Sequence, residues 1–157
     1  MNLKKSSLPI LLALTVLLIT GAAAILIYRP TPAQAITVNA QPISTGQLAL
    51  GEQMYNVYCA ACHGIKGEGQ PNWKTPNENG VYPAPPHNND GHTWHHADDL
   101  LLEIIAKGGA FSPTSGMPGF KDMLTEEEMV AILAYIKTFW GREQLGFQNQ
   151  VMQNSQN

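Results

Sequence analysis

Cysteine is almost absent from this chain: it has two such residues in 157, and they lie three positions apart as Cys59 and Cys62. Two cysteines cannot build the disulfide framework that stabilises many small secreted domains. A disulfide between them would close a very short loop and would gain little chain entropy. A structural zinc site would need a second pair of ligands, and no further cysteine is available to supply one.

Charged residues are also few, at 13% of the chain, and no pattern of alternating residues indicates a β-strand. Without a βαβ pattern, a thioredoxin-like thiol pair is poorly supported. Nine residues are basic, and three of them are Lys4, Lys5 and Arg29. The chain beyond Arg29 therefore contains six basic and twelve acidic residues, which gives it a formal charge of −6. This excess argues against nucleic acid and anionic membrane surfaces as partners. It favours a partner with a basic docking face, although an acidic surface also serves solubility alone.

The run from Leu8 to Tyr28 is strongly apolar and has 21 residues without one charge. This is about the length that crosses a bilayer as a helix. Lys4 and Lys5 precede the run, so the N-terminus is predicted to lie in the cytoplasm and the rest of the chain outside it. A signal peptide cleaved after Ala35 is the alternative, because Ala33-Gln34-Ala35 has the small-x-small pattern of a cleavage site. We predict that residues 1–29 are a retained single-pass anchor in the cytoplasmic membrane.

Composition divides the remainder of the chain into three segments. Residues 30–46 are rich in proline and predict an extended linker between the membrane and a folded domain. Residues 47–141 form the predicted domain. Residues 142–157 are polar and rich in Gln and Asn, so we expect a tail that is loosely ordered or is ordered only by a partner.

Hydrophobic spacing predicts three helices in the domain, over about 48–59, 97–107 and 125–140. The third begins at Thr125 with a capping box completed by Glu128, and Gly108 is expected to end the second. Between the first two lies a stretch from Gly64 to His96 that is dense in Gly, Pro, Asn and His. Three short helices make a thin core, and so long a loop is uncommon unless it wraps something. We therefore expect a non-protein group at the centre.

The two cysteines stand directly before a histidine in the sequence CAACH, residues 59–63. C-x-x-C-H is the motif for covalent attachment of c-type haem. Two thiols about one helical turn apart add to the two vinyl groups of the porphyrin, and the adjacent imidazole binds the iron. The motif therefore predicts one covalent haem c, with Cys59 and Cys62 as thioethers and His63 as an axial ligand.

The chain resembles the class I c-type cytochromes over about residues 48–140. Gly51-x-x-x-Tyr55-x-x-x-Cys59 resembles the family's first helix, in which a glycine allows a close crossing and an aromatic residue packs beside the haem. Ile132-x-x-Tyr135 resembles the partner helix of that crossing. The resemblance implies an all-α, cytochrome c-like fold in which three to five helices wrap one haem, here with an N-terminal transmembrane helix.

The resemblance also implies the remaining haem contacts. The loop SGMPGF, residues 115–120, is similar to the family's distal loop, which makes Met117 the sixth ligand of the iron. Bis-histidine ligation is the alternative, and its candidates are His87, His92, His95 and His96. These histidines would otherwise line the haem edge, and those of HTWHH, residues 92–96, are also candidates for binding copper or zinc. In the family an indole N–H often bonds a haem propionate, and Trp94 is our candidate. A proline carbonyl usually orients the proximal histidine, for which we name Pro71, Pro76 and Pro83.

Together these features predict an electron-transfer protein rather than an enzyme. With both axial positions filled by His63 and Met117, the iron would have no vacancy for a substrate. The donor implied by the resemblance is a quinol–cytochrome c oxidoreductase or an equivalent complex, and the acceptor is a terminal oxidase or a photosynthetic reaction centre. A fixed haem subunit of a larger respiratory complex is the alternative. A haem-based sensor or enzyme with a labile Met117, and a metal-trafficking protein using the histidines, are hypotheses of other classes.

Overall fold

The computed structural model describes residues 35–112 and 114–155. The predicted anchor, residues 1–29, and the start of the predicted linker lie outside these ranges. Within them, no helix has both the length and the apolar character needed to cross a membrane. The same ranges contain five α-helices, two short 3-10 helices and one two-stranded sheet, so the helix-rich fold is confirmed.

The first two helices follow one another almost without a break. Helix α1 spans Thr45–Tyr58, and α2 spans Ala60–His63. Ser44 begins α1 with a capping box, since its hydroxyl accepts from the Gln47 amide while the Gln47 side chain accepts from the Ser44 amide at 2.9 Å. This cap places the start of α1 three residues before the predicted one. The helical path therefore leads directly from a capped start to the CAACH residues.

The next two helices match the predicted positions closely. Helix α3 spans Asp98–Lys107 and ends at Gly108, whose φ of +55° lies in the region that favours glycine. Helix α4 spans Glu126–Lys137 and begins with the predicted capping box between Thr125 and Glu128. Both helices were predicted from local signals that act within one turn of the chain.

Helices α1 and α4 cross with their backbones in close contact. A Cβ atom placed on Gly51 would lie 2.0 Å from the Ala131 carbonyl oxygen and 3.0 Å from the Tyr135 Cβ. Only glycine permits this approach. The predicted crossing is therefore present, and it buries Tyr55 completely against the ring of Tyr135, with 5.5 Å between ring centroids.

A small hairpin precedes α1, where an extended linker was expected. Strand β1, Thr37–Val38, pairs antiparallel with β2, Gln41–Pro42. The two residues between them, Asn39 and Ala40, both have positive φ, which is the geometry of a tight two-residue hairpin turn. Val38 is buried in the core, so this part of the linker belongs to the folded body.

The C-terminal segment forms helix α5, Arg142–Asn154, so the expectation of a loosely ordered tail is wrong. The helix is mostly polar, and the residue it buries is Gln148. Phe147 packs edge-on against Trp94, with 5.3 Å between ring centroids. Packing against the segment before α3 and the burial of Gln148 therefore both order this mostly polar helix.

The long loop from Gly64 to His96 is present as predicted, and hydrogen bonds hold it in place. A 3-10 helix at Thr93–His95 lies near its end, and a second one at Gly108–Phe111 follows α3. The Gln70 amide donates to the Ala84 carbonyl at 2.9 Å, so the two arms of the loop run side by side.

Candidate functional site

The CAACH residues are Cys59 and the short helix α2, which directly follows α1. The amides of Cys62 and His63 both donate to the Cys59 carbonyl, at 3.1 and 2.9 Å. Cys59 is buried, Cys62 is exposed, and neither forms a disulfide. Burial, with a smaller contribution from Cys62, raises the pKa of the Cys59 thiol to about 12. Reactive redox thiols have lowered pKa values, so the environment of Cys59 argues against a dithiol exchange pair.

His63 is buried and has one ring nitrogen already engaged. Its Nδ1 donates to the Pro85 carbonyl oxygen at 2.9 Å, because a carbonyl can only accept. Burial lowers the pKa of His63, and the bond to Pro85 opposes that shift. The neutral ring with a protonated Nδ1 leaves the Nε2 lone pair for a metal, which is the usual arrangement of a metal-binding histidine.

The residue that orients His63 is Pro85, so the predicted candidates Pro71, Pro76 and Pro83 are wrong. The loop sets this choice, because the chain folds back on itself between Gly69 and Pro86. A Cβ on Gly69, which has a φ of +70°, would lie 2.5 Å from the Pro86 nitrogen. That close packing brings the carbonyl of Pro85 within hydrogen-bond distance of His63 Nδ1. The Pro85-Pro86 doublet was a visible signal, but the pairing of the two arms was not.

The backbone that follows His63 is fixed from two sides. The Gly69 amide donates to the His63 carbonyl at 2.7 Å, and the Tyr55 hydroxyl donates to the Gly64 carbonyl at 2.9 Å. Burial is the main cause that raises the pKa of Tyr55, so its hydroxyl remains a donor across the physiological range. The ring position of His63 therefore depends on α1 as well as on the loop.

Met117 lies on a separate loop between α3 and α4. Its carbonyl accepts from the Gly109 amide at 2.7 Å, and its amide donates to the Ser115 hydroxyl at 3.2 Å. The Phe120 amide donates to the Ile105 carbonyl at 3.1 Å, which pins the loop to the end of α3. The Met117 side chain is half-buried and packs against the same core cluster that contains Cys59.

His87 contacts the candidate site in a way that the sequence did not indicate. Its imidazole stacks on the His63 ring with centroids 3.9 Å apart and planes 18° from parallel. His92, His95 and His96 lie farther along, around Trp73 and Trp94, and are exposed or half-buried. In the part of the chain that the structure describes, no group of three or more His, Cys, Asp and Glu residues is placed to hold a metal ion.

Among the side chains of the described residues, one buried nitrogen or oxygen has no hydrogen-bond partner, and it is Trp94 Nε1. Buried N–H donors in native proteins nearly always have an acceptor, so an acceptor outside the protein chain is indicated. Trp94 was the predicted partner of a haem propionate. Two thiols one turn apart, a neutral imidazole with one nitrogen open, a half-buried thioether and an unpartnered indole N–H together fit a covalently bound haem.

Comparison with known proteins agrees with this chemistry. The family model described as Cytochrome c matches residues 48–140, and the chain therefore belongs to the cytochrome c family. Among solved structures, cytochrome CL from the marine methylotrophic bacterium Methylophaga aminisulfidivorans is similar, with a TM-score of 0.50 and 21% identity over 69% of this chain and 63% of that one. At this identity the likeness shows the fold, and it spans less than two thirds of that protein's length. No curated protein matches the chain.

Membership of the family confirms the class I c-type cytochrome and its cofactor. The protein carries covalently bound haem c, and Cys59 and Cys62 have the C-x-x-C spacing for its attachment. Its fold is cytochrome c-like, and it is a haem protein of the electron-transfer class.

Proposed function

We propose that this protein is a membrane-anchored electron carrier with a single haem, held by thioether bonds to Cys59 and Cys62 and ligated by His63 and Met117. The observation that carries the proposal is the state of His63, which is buried and has its Nδ1 committed to the Pro85 carbonyl. Only Nε2 remains to bind iron, and the ring stands directly after the two cysteines that anchor the porphyrin.

Met117 is the best supported second ligand because of how its loop is held. Helix α3 pins the loop at Phe120, and the Gly109 amide pins it at the Met117 carbonyl. A Cβ on Gly119 would lie 2.8 Å from the Ala106 carbonyl oxygen, so the loop lies against the helix end without a gap. A rigid loop can aim a flexible thioether at one point, as an axial ligand requires.

His87 is poorly placed to be the second ligand. Two imidazoles that bound one iron would each have to direct a ring nitrogen at the metal between them, whereas the rings of His87 and His63 are stacked face to face at 3.9 Å. Ligation by His63 and Met117 therefore agrees better with the stack than bis-histidine ligation through His87 does.

The chain's own residues prepare the site for one-electron transfer. Haem c supplies the couple between ferric and ferrous iron, and a methionine ligand raises its potential. Pro85 holds the His63 ring in one tautomer, and the core around Tyr55 excludes water from its side of the site. If His63 and Met117 both ligate the iron, no coordination position would be left for a substrate, which favours electron transfer over catalysis.

Residues 1–29 are proposed to anchor this domain on the outer face of the cytoplasmic membrane. The folded body already begins at Ile36, whose carbonyl accepts a hydrogen bond from the Ile43 amide at 3.0 Å. This shortens the connection between the proposed anchor and the domain. Residues 30–35 then connect the proposed span to the folded body. At about 3.5 Å per residue, six residues can span at most roughly 20 Å when fully extended. So short a connection suits partners embedded in the same membrane.

The proposed partners are membrane redox complexes. A quinol–cytochrome c oxidoreductase or an equivalent complex would be the donor, and a terminal oxidase or a reaction centre the acceptor. The short connection also favours the second candidate, a fixed haem subunit of one such complex.

Mild detergent extraction followed by native sizing distinguishes the mobile carrier from the fixed subunit: migration as a small protein supports the carrier, and co-migration with a large complex supports the subunit. N-terminal sequencing of the mature protein would show whether cleavage after Ala35 removes the anchor.

The ligand assignment is tested by the optical spectrum of the oxidised protein. We expect the weak long-wavelength band of methionine-ligated ferric haem in wild type and its loss in Met117→Ala. Met123→Ala is the matched control, because Met123 lies six residues along the chain and is 56% exposed. Persistence of the band in Met117→Ala would refute Met117 as the ligand.

The sensor or enzyme hypothesis is tested separately with carbon monoxide. Rapid, stoichiometric binding of carbon monoxide to the reduced wild type at neutral pH would favour that hypothesis over electron transfer.

A further inference from the structure

We propose that His87 is a positioning residue for His63, whose imidazole plane it holds at one rotation by stacking flat against it. The inference rests on the proposed role of His63 as an iron ligand. It assigns a role to a histidine that the C-x-x-C-H motif does not include and that lies 24 residues farther along the chain.

The hydrogen bond to Pro85 is not enough to set the orientation of the His63 ring. It fixes one distance, 2.9 Å between Nδ1 and a carbonyl oxygen, whereas the imidazole turns about two side-chain bonds, χ1 and χ2, so one rotation of the ring plane is left unconstrained. A second contact with the face of the ring removes that freedom. His87 supplies it, with centroids 3.9 Å apart and planes 18° from parallel. Turning the His63 plane would drive its edge into the His87 ring, and cores tolerate such overlap poorly.

One short segment thus supplies both constraints, since Pro85 and His87 are two residues apart. The segment itself is held from several directions. The His87 amide donates to the Gly67 carbonyl at 2.8 Å, and the His87 carbonyl accepts from Trp140 Nε1 at 2.8 Å. The ring Nδ1 lies 3.2 Å from the Thr93 hydroxyl oxygen. Because its backbone and its ring are both fixed, His87 can hold the ring of His63 in one orientation.

The surroundings of His87 leave no room for it to move aside. A Cβ on Gly67, which has a φ of +67°, would lie 3.2 Å from the His87 Cβ and 2.8 Å from the Phe139 ring. On another side the Tyr55 ring meets the imidazole at a steep angle, with 6.1 Å between centroids.

The shape of the side chain distinguishes positioning from simple filling. A flat ring stops rotation of a second flat ring, whereas a branched aliphatic side chain of similar size fills the space without defining a plane. His87→Phe therefore keeps the constraint, and His87→Leu removes it while preserving an apolar core. His95→Leu is the matched control, because His95 is exposed and its observed ring contacts are with Trp94 and Phe147.

The test is the NMR spectrum of the oxidised, haem-loaded protein. The order and spread of the hyperfine-shifted haem methyl resonances report the plane of the axial imidazole. We expect wild type, His87→Phe and His95→Leu to share one pattern and His87→Leu to show a different order or a narrower spread. An unchanged pattern in folded His87→Leu, or an equal change in His87→Phe, would overturn the proposal.

A second measurement keeps the test decisive if His87→Leu does not mature. In the reduced wild type, the ring protons of His63 and His87 should show a nuclear Overhauser effect, and its absence would overturn the stack. Failure of the underlying function is distinguishable, because a haem whose axial imidazole resonances do not belong to His63 would refute the ligand assignment itself.

Discussion

Lys137 Nζ lies 2.6 Å from Asp98 Oδ1, and the two side chains are 2% and 1% exposed. The ammonium also donates to the Thr37 carbonyl at 2.7 Å and to Gln148 Oε1 at 3.1 Å, and Gln148 Nε2 donates to Asp98 Oδ1 at 2.6 Å. This buried ion pair therefore joins the hairpin, α3, α4 and α5. Two of these elements, the hairpin and α5, lie outside the residues that the family model matches.

Removing one partner of this pair should be costly, because it leaves a buried charge without its counterion. We expect Lys137→Met to lower the free energy of unfolding by about 3–5 kcal/mol. The double variant Lys137→Met/Asp98→Asn should lose less than the single one, since it removes both charges. Lys107→Met breaks the exposed pair with Glu103 and should cost less than about 1 kcal/mol. Denaturant unfolding measures all three, and a loss in Lys137→Met no larger than in Lys107→Met would contradict the prediction.

Two Gly→Ala substitutions should distinguish the effect of the close helix crossing on stability from the effect of helix propensity. Gly51→Ala places a Cβ 2.0 Å from the Ala131 carbonyl oxygen, so we expect a loss of about 3 kcal/mol or more, beyond typical overpacking because the clash is with backbone. Gly146→Ala in α5 is the matched control, since a Cβ placed there meets no neighbouring atom within 4 Å, and it should stabilise the protein by about 0.5–1 kcal/mol. Equal effects of the two substitutions on thermal unfolding would refute the close crossing.

The parts of the fold that the sequence predicted are those that depend on neighbours within one or two turns. The capping box of Thr125 and Glu128 and the glycine end of α3 at Gly108 act locally, and the structure places both as expected. The crossing at Gly51 was long-range, but a family resemblance indicated it. The haem motif was equally local, because all three of its functional residues lie within five positions.

The parts that were missed depend on contacts between distant residues. Pro85 could not be chosen among the prolines without knowing that the arms of the loop pair at Gln70 and Ala84. Helix α5 has a polar sequence, and its order depends on Gln148 meeting Lys137 and Asp98, which are 11 and 50 residues away. Polar residues that are buried in pairs resemble solvated ones in the sequence, which explains why this segment was predicted to be a loose tail.

Acid should destabilise the protein in part through His92 and His96. Burial first, and then neighbouring positive groups including His95, lower the pKa of both below the usual value near 6.5. Between the folded and the unfolded pKa values the unfolded chain binds more protons, so stability falls as pH falls through about 6.5. Thermal unfolding of the haem-loaded His92→Gln/His96→Gln variant should show a weaker dependence on pH than wild type across this range. Identical slopes in the two proteins would contradict the assignment.

Removal of the Trp94 N–H should change the pH dependence of the haem midpoint potential. A hydrogen bond to a haem propionate favours the charged carboxylate and keeps its pKa low. Trp94→Phe retains a ring against Phe147 and removes the donor, so the inflection of potential against pH should move to higher pH. Trp73→Phe is the control, because the Trp73 ring stacks on His92 and should leave the inflection in place. Spectroelectrochemical titration of both variants measures the shift. An unmoved inflection in Trp94→Phe would mean that the buried indole binds some other acceptor.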